Sequence, residues 1–227
     1  MYDLHAHILP CTDHGSPNTD TAREQMKLLF ELSVTHAVAT PHFYADADSV
    51  ESFLSRRTLG ADALLSCKAD KAPTIFLGTE VLASEGIDHM KGLDRLCISG
   101  TNILLLEMPF FKWNDSLVRT VRRLCHSSLR VMLAHVDRYP PDNVEKLFDM
   151  GAIGQINTEA FLGFHSCKRY RSWIQAGTVQ ALGTDLHLPS AFKKRAVARA
   201  KRKIGEVLWN QLSKTSAELL LNAEILM

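Results

Sequence analysis

The sequence has no C-x-x-C pair, no apolar run long enough for a membrane helix and no excess of either charge. Its five cysteines (Cys11, Cys67, Cys97, Cys125 and Cys167) are odd in number and widely scattered. That pattern argues against a disulfide framework or a thiolate zinc site, and for a reducing, cytoplasmic home. The C-x5-R loop of cysteine-dependent phosphatases is missing as well. Cys125 and Arg130 are one residue too close, and no arginine follows Cys11 at that spacing. A spanning helix needs about 20 apolar residues, so no membrane insertion is expected. The net charge of +1 gives no global case for nucleic acid. The N-terminus, polar and acidic at once, does not read as a signal peptide. Repeats, low-complexity tracts and long linkers are also lacking. The 227 residues, 46% hydrophobic and 22% charged, are expected to form a single domain, 1–227, with a sizeable core.

What the chain does have is histidine and aspartate crowded at its start, in "YDLHAHILPCTDHG". Asp3 to Ile8 alternates like a short strand, so His5 and His7 share a face about 7 Å apart. Further on, apolar β-rich runs alternate with amphipathic segments. The strand candidates are Tyr2–Ile8, Thr35–Thr40, Thr74–Thr79, Ile103–Glu107, Arg130–His135, Ala152–Asn157 and Val179–Thr184. The helix candidates are Thr21–Leu32, opened by a capping box Thr21-x-x-Glu24, then Ser49–Ser66, Asp115–Ser127, Asp142–Met150 and Lys168–Gln175. Ala191–Ile204, Glu206–Leu212 and Ala217–Leu221 follow. Short buried parallel strands read as such near-continuous apolar runs, and repeated βα units imply a barrel or a doubly wound sheet.

Five apolar runs deliver an imidazole or a carboxylate at their C-terminal ends. They end in His42, Glu80, Glu107, His135, and the pair Asp185 and His187. In a parallel βα barrel all those ends meet on one rim. The expected converging set is therefore His5, His7, His14, His42, Glu80, Glu107, His135, Asp185 and His187. Imidazoles and carboxylates without thiolates suit Mn, Fe or Zn. Nine ligands are enough for two or three divalent metal ions, Mn first among them, with a bridging carboxylate. Metal-assisted hydrolysis is the matching reaction class.

The segments "DLHAHILPCTDHG", "ATPHFY", "LGTEV", "LLLEMPF", "LAHVDRY", "QIN" and "LGTDLH" occur in the order seen in the PHP (polymerase and histidinol phosphatase) superfamily. The chain most resembles that superfamily's bacterial capsular-polysaccharide-type metal-dependent protein-tyrosine phosphatases. The resemblance runs from Tyr2 to the C-terminal "AELLLNAEIL". It implies an α/β fold, a distorted (β/α)7 barrel with the metal site at the C-terminal ends of the strands. It also implies that His5, His7, Glu80 and Asp185 hold one metal, and that Glu80 bridges to a second completed by Glu107 and His135. His14, His42 and His187 would hold a third. Arg138 matches a phosphate-binding arginine, and the catalytic candidates are Arg138, His42 and His135. Asp3 and Asp13 read as partners that orient imidazoles. The implied reaction is attack of metal-bound hydroxide on a phosphomonoester. The implied partner is a phosphotyrosine protein, a tyrosine kinase of polysaccharide synthesis, or else a small phosphomonoester. The resemblance is compatible with a monomer or an oligomer.

The chain departs from that pattern in places. His14 stands where aspartate is usual, Val136 where proline is usual, and Leu188-Pro189 follows His187 in place of asparagine. A second phosphate-binding arginine has no clear counterpart, although Lys193, Lys194 and Arg195 are near. The segment "KKRAVARAKRK", with seven basic residues in Lys193–Lys203, reads as a solvated face or a surface for acidic phosphopeptides or nucleic acid. The aromatic loop "MPFFKW" (Phe110, Phe111, Trp113) reads as core or as lid. His36, His89, His126 and His165 read as structural or exposed. Besides tyrosine phosphatase, two other readings stay open. One is a histidinol-phosphate-like small-molecule phosphatase or a nuclease on the same scaffold; the other is a metal-binding module without catalysis.

Overall fold

The computed structural model describes residues 1–67, 71–110, 112–163 and 167–227. Phe111 and His165 lie outside the described residues. The strands are β1 (Tyr2–Ala6), β2 (His36–Ala39), β3 (His42–Phe43), β4 (Thr74–Leu77), β5 (Glu80–Leu82), β6 (Ile103–Glu107), β7 (Arg130–Leu133), β8 (Ile153–Asn157) and β9 (Val179–Gly183). The helices are α1 (Thr19–Glu31), α2 (Val50–Ser66), α3 (Asp115–Cys125), α4 (Pro141–Asp149), α5 (Cys167–Gln175), α6 (Ala191–Ile204) and α7 (Glu206–Leu219). All strand pairings are parallel, in one sheet ordered β1-β2-β4 and another ordered β3-β5-β6-β7-β8-β9.

The two sheets are halves of one wall. β2 runs into β3 through Thr40-Pro41, and β4 runs into β5 through Gly78-Thr79. Proline has no N–H for a ladder, so the first break falls at Pro41. The second falls where the strands crowd: a Cβ on Gly78 would lie 2.9 Å from Val38 Cγ1. Beyond the end of β9, Asp185 N–H donates to the His5 carbonyl at 2.8 Å, and His7 N–H donates to the Leu186 carbonyl at 3.0 Å. The wall thus turns back onto β1 with seven strand positions, the distorted (β/α)7 arrangement.

Six of the seven strands are shorter than their sequence runs, β2 and β4 because of these breaks, and the two short strands β3 and β5 were not foreseen. His42 and Glu80 do not end strands; each begins a new one after the break, and they sit side by side in register. Glu107 then stands beside Leu82 of β5. On β6, Leu105 and Glu107 share a face, because side chains alternate with period two. That face carries a buried apolar cluster including Leu4, Val38, Phe76, Leu105, Met132 and Ala181. The polar rim stands on this apolar floor. On β1, Leu4 belongs to that floor, yet His5 and His7 of opposite parity also reach the rim. The register of β1 against β2 shifts between Asp3 and Ala6, and such a bulge re-aims side chains.

Outside the wall, helices bury one face each. On α3, Leu117, Val121 and Leu124 are buried, at i, i+4 and i+7 spacing. Two helical readings need correction. The N-cap of α1 is Asn18, whose side chain accepts from Thr21 N–H, so the Thr21 capping box lies inside the helix. The two C-terminal helices are one, α7. In the polar stretch between them the Thr215 hydroxyl donates to the Gln211 carbonyl and the Ser216 hydroxyl to the Gln180 carbonyl, tying the helix to β9. Among the described residues, no helix is long and apolar enough to cross a membrane.

Candidate metal centre

The rim gathers eight of the nine predicted ligands into one tight group. His5 Nε2, His7 Nε2 and Glu80 Oε2 lie 3.1, 3.1 and 3.2 Å from one another. Asp185 Oδ1 is 3.7 Å from His5 Nε2 and 3.4 Å from His7 Nε2. Donor atoms about 2.1 Å from a shared cation stand about 3.0–3.4 Å apart in octahedral or tetrahedral arrays, so this spacing suits one. His135 Nε2 faces Glu80 Oε1 at 3.0 Å and Glu107 Oε1 at 3.3 Å. His42 Nδ1 lies 3.0 Å from Glu80 Oε2 and 3.9 Å from Glu107 Oε2. Glu80 is thus at the centre, with both its oxygens in use. His187 Nδ1 is 3.3 Å from Asp185 Oδ1, and its ring stacks on His7 with centroids 4.0 Å apart.

Three overlapping triads could each hold a metal ion: His5, His7 and Glu80; His42, Glu80 and Glu107; and His7, His42 and His187. The fit to cations goes beyond spacing. His42 Nδ1 and Glu80 Oε2 are both buried without a hydrogen-bond partner, although they face each other. Buried polar atoms almost always find partners, and two acceptors aimed at one point suit a cation between them. His14 is the ninth candidate. It is exposed and belongs to none of the triads; its ring stands 4.6 Å from that of His42 and 4.8 Å from that of His187.

The charges follow the same logic. Burial would raise the Glu80 carboxyl, but the neighbouring imidazoles of His5, His135 and His7 hold it well below the usual range. Asp185 is likewise held down against burial by His5, His187, His7 and Arg138. His135 is lifted to about 9, because its bonds to Glu107 and Glu80 outweigh burial. Burial instead drives His42 down to about 3, with Glu80 offsetting only part of it. Its imidazole is therefore neutral at pH 7, the form that ligates metal.

A further layer of residues aims these rings. Asp13 Oδ2 is 2.7 Å from His7 Nδ1 and accepts from His42 N–H at 3.0 Å, so the expectation for Asp13 holds. Asp3 differs from its reading: it touches no imidazole ring. It accepts from the backbone N–H of His5 and from the N–H and hydroxyl of Thr184, bracing β1 against the end of β9. Three aiming residues had no assigned role in the sequence. Gln155 Oε1 lies 3.0 Å from His5 Nδ1 and accepts from His135 N–H at 2.7 Å. Its amide nitrogen donates to Asn157 Oδ1, and Asn157 Nδ2 donates to Asp185 Oδ2. The Tyr139 hydroxyl lies 3.1 Å from His135 Nδ1. Gly183 makes room for this network, since a Cβ there would lie 2.4 Å from Gln155 Nε2 and 2.8 Å from His5 Cβ. His135 and Asp185 themselves sit at φ of 31° and 47°, left-handed conformations that cluster at functional sites.

The group lies at the base of an open cavity of about 590 Å³. Its walls include Tyr44, Leu82, Pro109 and Phe110, with Arg138 and Lys193 at one side. Arg138 ion-pairs with Asp185 Oδ2. Of the three basic residues near His187, Lys193 alone lines this cavity. It donates to the Thr184 and Asp185 carbonyls and pairs with Glu159. Lys194 pairs with Glu31 instead, and Arg195 lines a separate groove. The aromatic loop divides: Phe110 is 69% exposed at the cavity, whereas the Trp113 ring packs on Tyr139. His36 stacks on Tyr2, far from the metal-type cluster in register.

Residues 1–222 match the family profile described as capsular polysaccharide synthesis, CpsB/CapC. The chain belongs to the CpsB/CapC family. Among its relatives is the tyrosine-protein phosphatase YwqE of Bacillus subtilis (strain 168), 22% identical over 201 residues. That match covers 82% of this chain and 77% of YwqE. CapC of Staphylococcus aureus is 24% identical over 177 residues, covering 72% of this chain and 66% of CapC. A crystal structure from work on YwqE of Bacillus subtilis and CpsB of Streptococcus pneumoniae superposes with a TM-score of 0.78 at 19% identity. It covers 99% of this chain and 96% of that one, and those two proteins are described as metal-dependent tyrosine phosphatases. At that identity the likeness carries the α/β fold with its parallel sheets, and the family profile carries membership.

Proposed function

We propose that this CpsB/CapC chain is a cytoplasmic metal-dependent phosphomonoesterase, one domain whose substrate is phosphotyrosine on a tyrosine kinase of polysaccharide synthesis. The observation that carries the reading is the Glu80 centre. One buried carboxylate meets His5, His7, His42 and His135 at 3.0–3.2 Å, beneath an open cavity with an arginine at its side. His5, His7, Glu80 and Asp185 would hold one divalent metal, with Mn favoured and Fe or Zn compatible. Glu80, Glu107 and His135 would hold a second. His42, His187 and His14 would hold a third, with His14 closing from the rim. Bound metals of this type supply Lewis-acid stabilisation of phosphoryl oxygens and a nucleophilic water near neutral pH.

The chain's own groups do the rest. Asp13 and Gln155 occupy Nδ1 of His7 and His5, which leaves each Nε2 lone pair turned inward. Arg138 keeps its charge at any working pH, since Asp185 and Asp137 outweigh its burial. Its guanidinium presents donors to the oxygens of an entering phosphate and stabilises charge that grows in transfer. Tyr44, Leu82, Pro109 and Phe110 offer an apolar wall for an aryl ring. A tyrosyl leaving group, with a pKa near about 10, departs with less proton assistance than an alkyl alcohol. The five cysteines are all unpaired, in keeping with a reducing compartment.

The test is hydrolysis of p-nitrophenyl phosphate by purified protein with added Mn, before and after a strong chelator. Phosphotyrosine peptide, histidinol phosphate and single-stranded DNA are compared in parallel. The reading expects turnover abolished by chelation and fastest on the phosphotyrosine peptide. Activity indifferent to chelation would end the metal assignment, and preference for histidinol phosphate or DNA would replace the substrate.

A further inference from the structure

Helix α6 (Ala191–Ile204) begins beside the cavity over the Glu80 cluster, just after His187, and Lys193 of its first turn lines that cavity. A different stripe of the same helix carries Phe192, Arg195, Arg199 and Arg202. Spacings of three and four residues keep such side chains on one face. With Leu162 and Ala198 they line a second groove, of about 530 Å³, with no acidic side chain among the described residues that line it. Arg195 and Arg202 are exposed, and among the described residues neither has an ion-pair partner. Their neighbours behave differently, since Lys193 pairs with Glu159 and Lys194 with Glu31. Phe192, an aromatic ring on a charged helix, is 50% exposed at the edge of the groove.

We propose that this groove docks an acidic peptide segment next to the phosphorylated residue of a protein substrate, so that the phosphate enters the adjoining cavity. The proposal rests on the phosphomonoesterase reading of that cavity. Guanidinium forks match carboxylates bidentately, and the groove is built from arginines rather than lysines. At about 1.5 Å rise per residue the stripe from Phe192 to Arg202 is about 15 Å long. That length accommodates about four or five extended residues. Phe192 supplies the apolar contact at the end nearest the cavity, where Lys193 crosses to the other side. A nucleic acid is the poorer occupant. Single-strand binders present successive aromatic platforms along a basic track, whereas among the described residues this groove has one ring, and the whole chain carries a net charge of only +1.

The experiment uses the full chain and the variant Arg195→Glu/Arg202→Glu. Three substrates are compared with Mn: p-nitrophenyl phosphate, a phosphotyrosine peptide with acidic flanks, and the same peptide with neutral flanks. In parallel, fluorescence anisotropy measures binding of the acidic peptide with plain tyrosine, which needs no turnover. The variant is expected to raise KM for the acidic phosphopeptide about tenfold, with kcat nearly unchanged, as for loss of complementary rim charge. It leaves p-nitrophenyl phosphate and the neutral peptide at wild-type values, which also reports intact folding. The anisotropy Kd weakens in step, and the difference fades at high salt. Arg195→Ala/Arg202→Ala shifts the same quantities in the same direction by less. Equal KM and Kd in wild type and variant would overturn the docking proposal, as would single-stranded DNA displacing the peptide at lower concentration than an acidic competitor. If wild type hydrolyses no phosphomonoester, the enzymatic reading fails, while the anisotropy arm still decides the groove.

Discussion

Replacing Gln155 by leucine separates an aimed metal site from a mere collection of ligands. Gln155 is fully buried. Its amide serves His5 Nδ1, the His135 N–H and Asn157 Oδ1, at 3.0, 2.7 and 2.9 Å. Leucine fills a similar volume and satisfies none of them. Each buried polar group left unpaired costs about 1–3 kcal/mol, so three cost about 3–9. Leucine returns about 1–3 kcal/mol through apolar burial. The net destabilisation expected is centred on about 4 kcal/mol, within a typical total stability of about 5–15, so a folded fraction remains to be assayed. Freed from Gln155, the His5 ring loses its fixed tautomer, and Asn157 loses its grip on Asp185. Losing such outer partners costs about 10–100-fold in metal affinity. Urea unfolding gives the first quantity and Mn titration calorimetry the second. A stability change under about 1 kcal/mol together with wild-type Mn affinity would refute the role given to Gln155.

Three further outcomes follow from the same geometry. His135→Ala removes the imidazole that meets both Glu80 and Glu107 and should lower kcat by orders of magnitude; wild-type turnover would dismiss it as a ligand. Arg138→Ala should cost about 2–4 kcal/mol in kcat/KM, by analogy with loss of one oxyanion donor, while Arg138→Lys recovers only part because the fork is gone. Unchanged kinetics in Arg138→Ala would return the residue to the surface. Asp3→Ala strands the Thr184 hydroxyl and two N–H groups in the buried seam between β1 and the end of β9. It should lower stability by several kcal/mol, roughly 1–3 per stranded group, measured by chemical denaturation; a loss too small to measure would mean that the seam does not depend on it.

The convergence of these residues was legible because its members share a rule. An apolar run that ends in an imidazole or carboxylate delivers it to one rim, and His42, Glu80, Glu107, His135, Asp185 and His187 all obey it. The way His42 and Glu80 reach the rim was not legible. Their strands break at Thr40-Pro41 and Gly78-Thr79; Gly78 stands where a Cβ would meet Val38 of a neighbouring strand, a contact that one strand's sequence does not contain. Gln155 and Asn157 escaped for a similar reason. A neutral amide carries no metal-ligand signal, and its partners lie on β1 and just beyond the ends of β7 and β9, known only once registers are set. Asp3 was misread because a carboxylate beside histidines suggests an imidazole partner, and the bulge in β1 aims it at Thr184 instead. The two C-terminal helix candidates left residues 213–216 between them, a polar stretch that the structure keeps in α7, with the Thr215 and Ser216 hydroxyls on carbonyls of the helix itself and of β9.

The central claim is that the Glu80 cluster holds divalent metal, and anomalous scattering locates metal directly. Crystals grown with Mn, with data collected at the Mn absorption edge, should give two or three peaks among His5, His7, His42, Glu80, Glu107, His135, Asp185 and His187. Data from active, Mn-loaded protein with no peak inside that cluster would contradict the account.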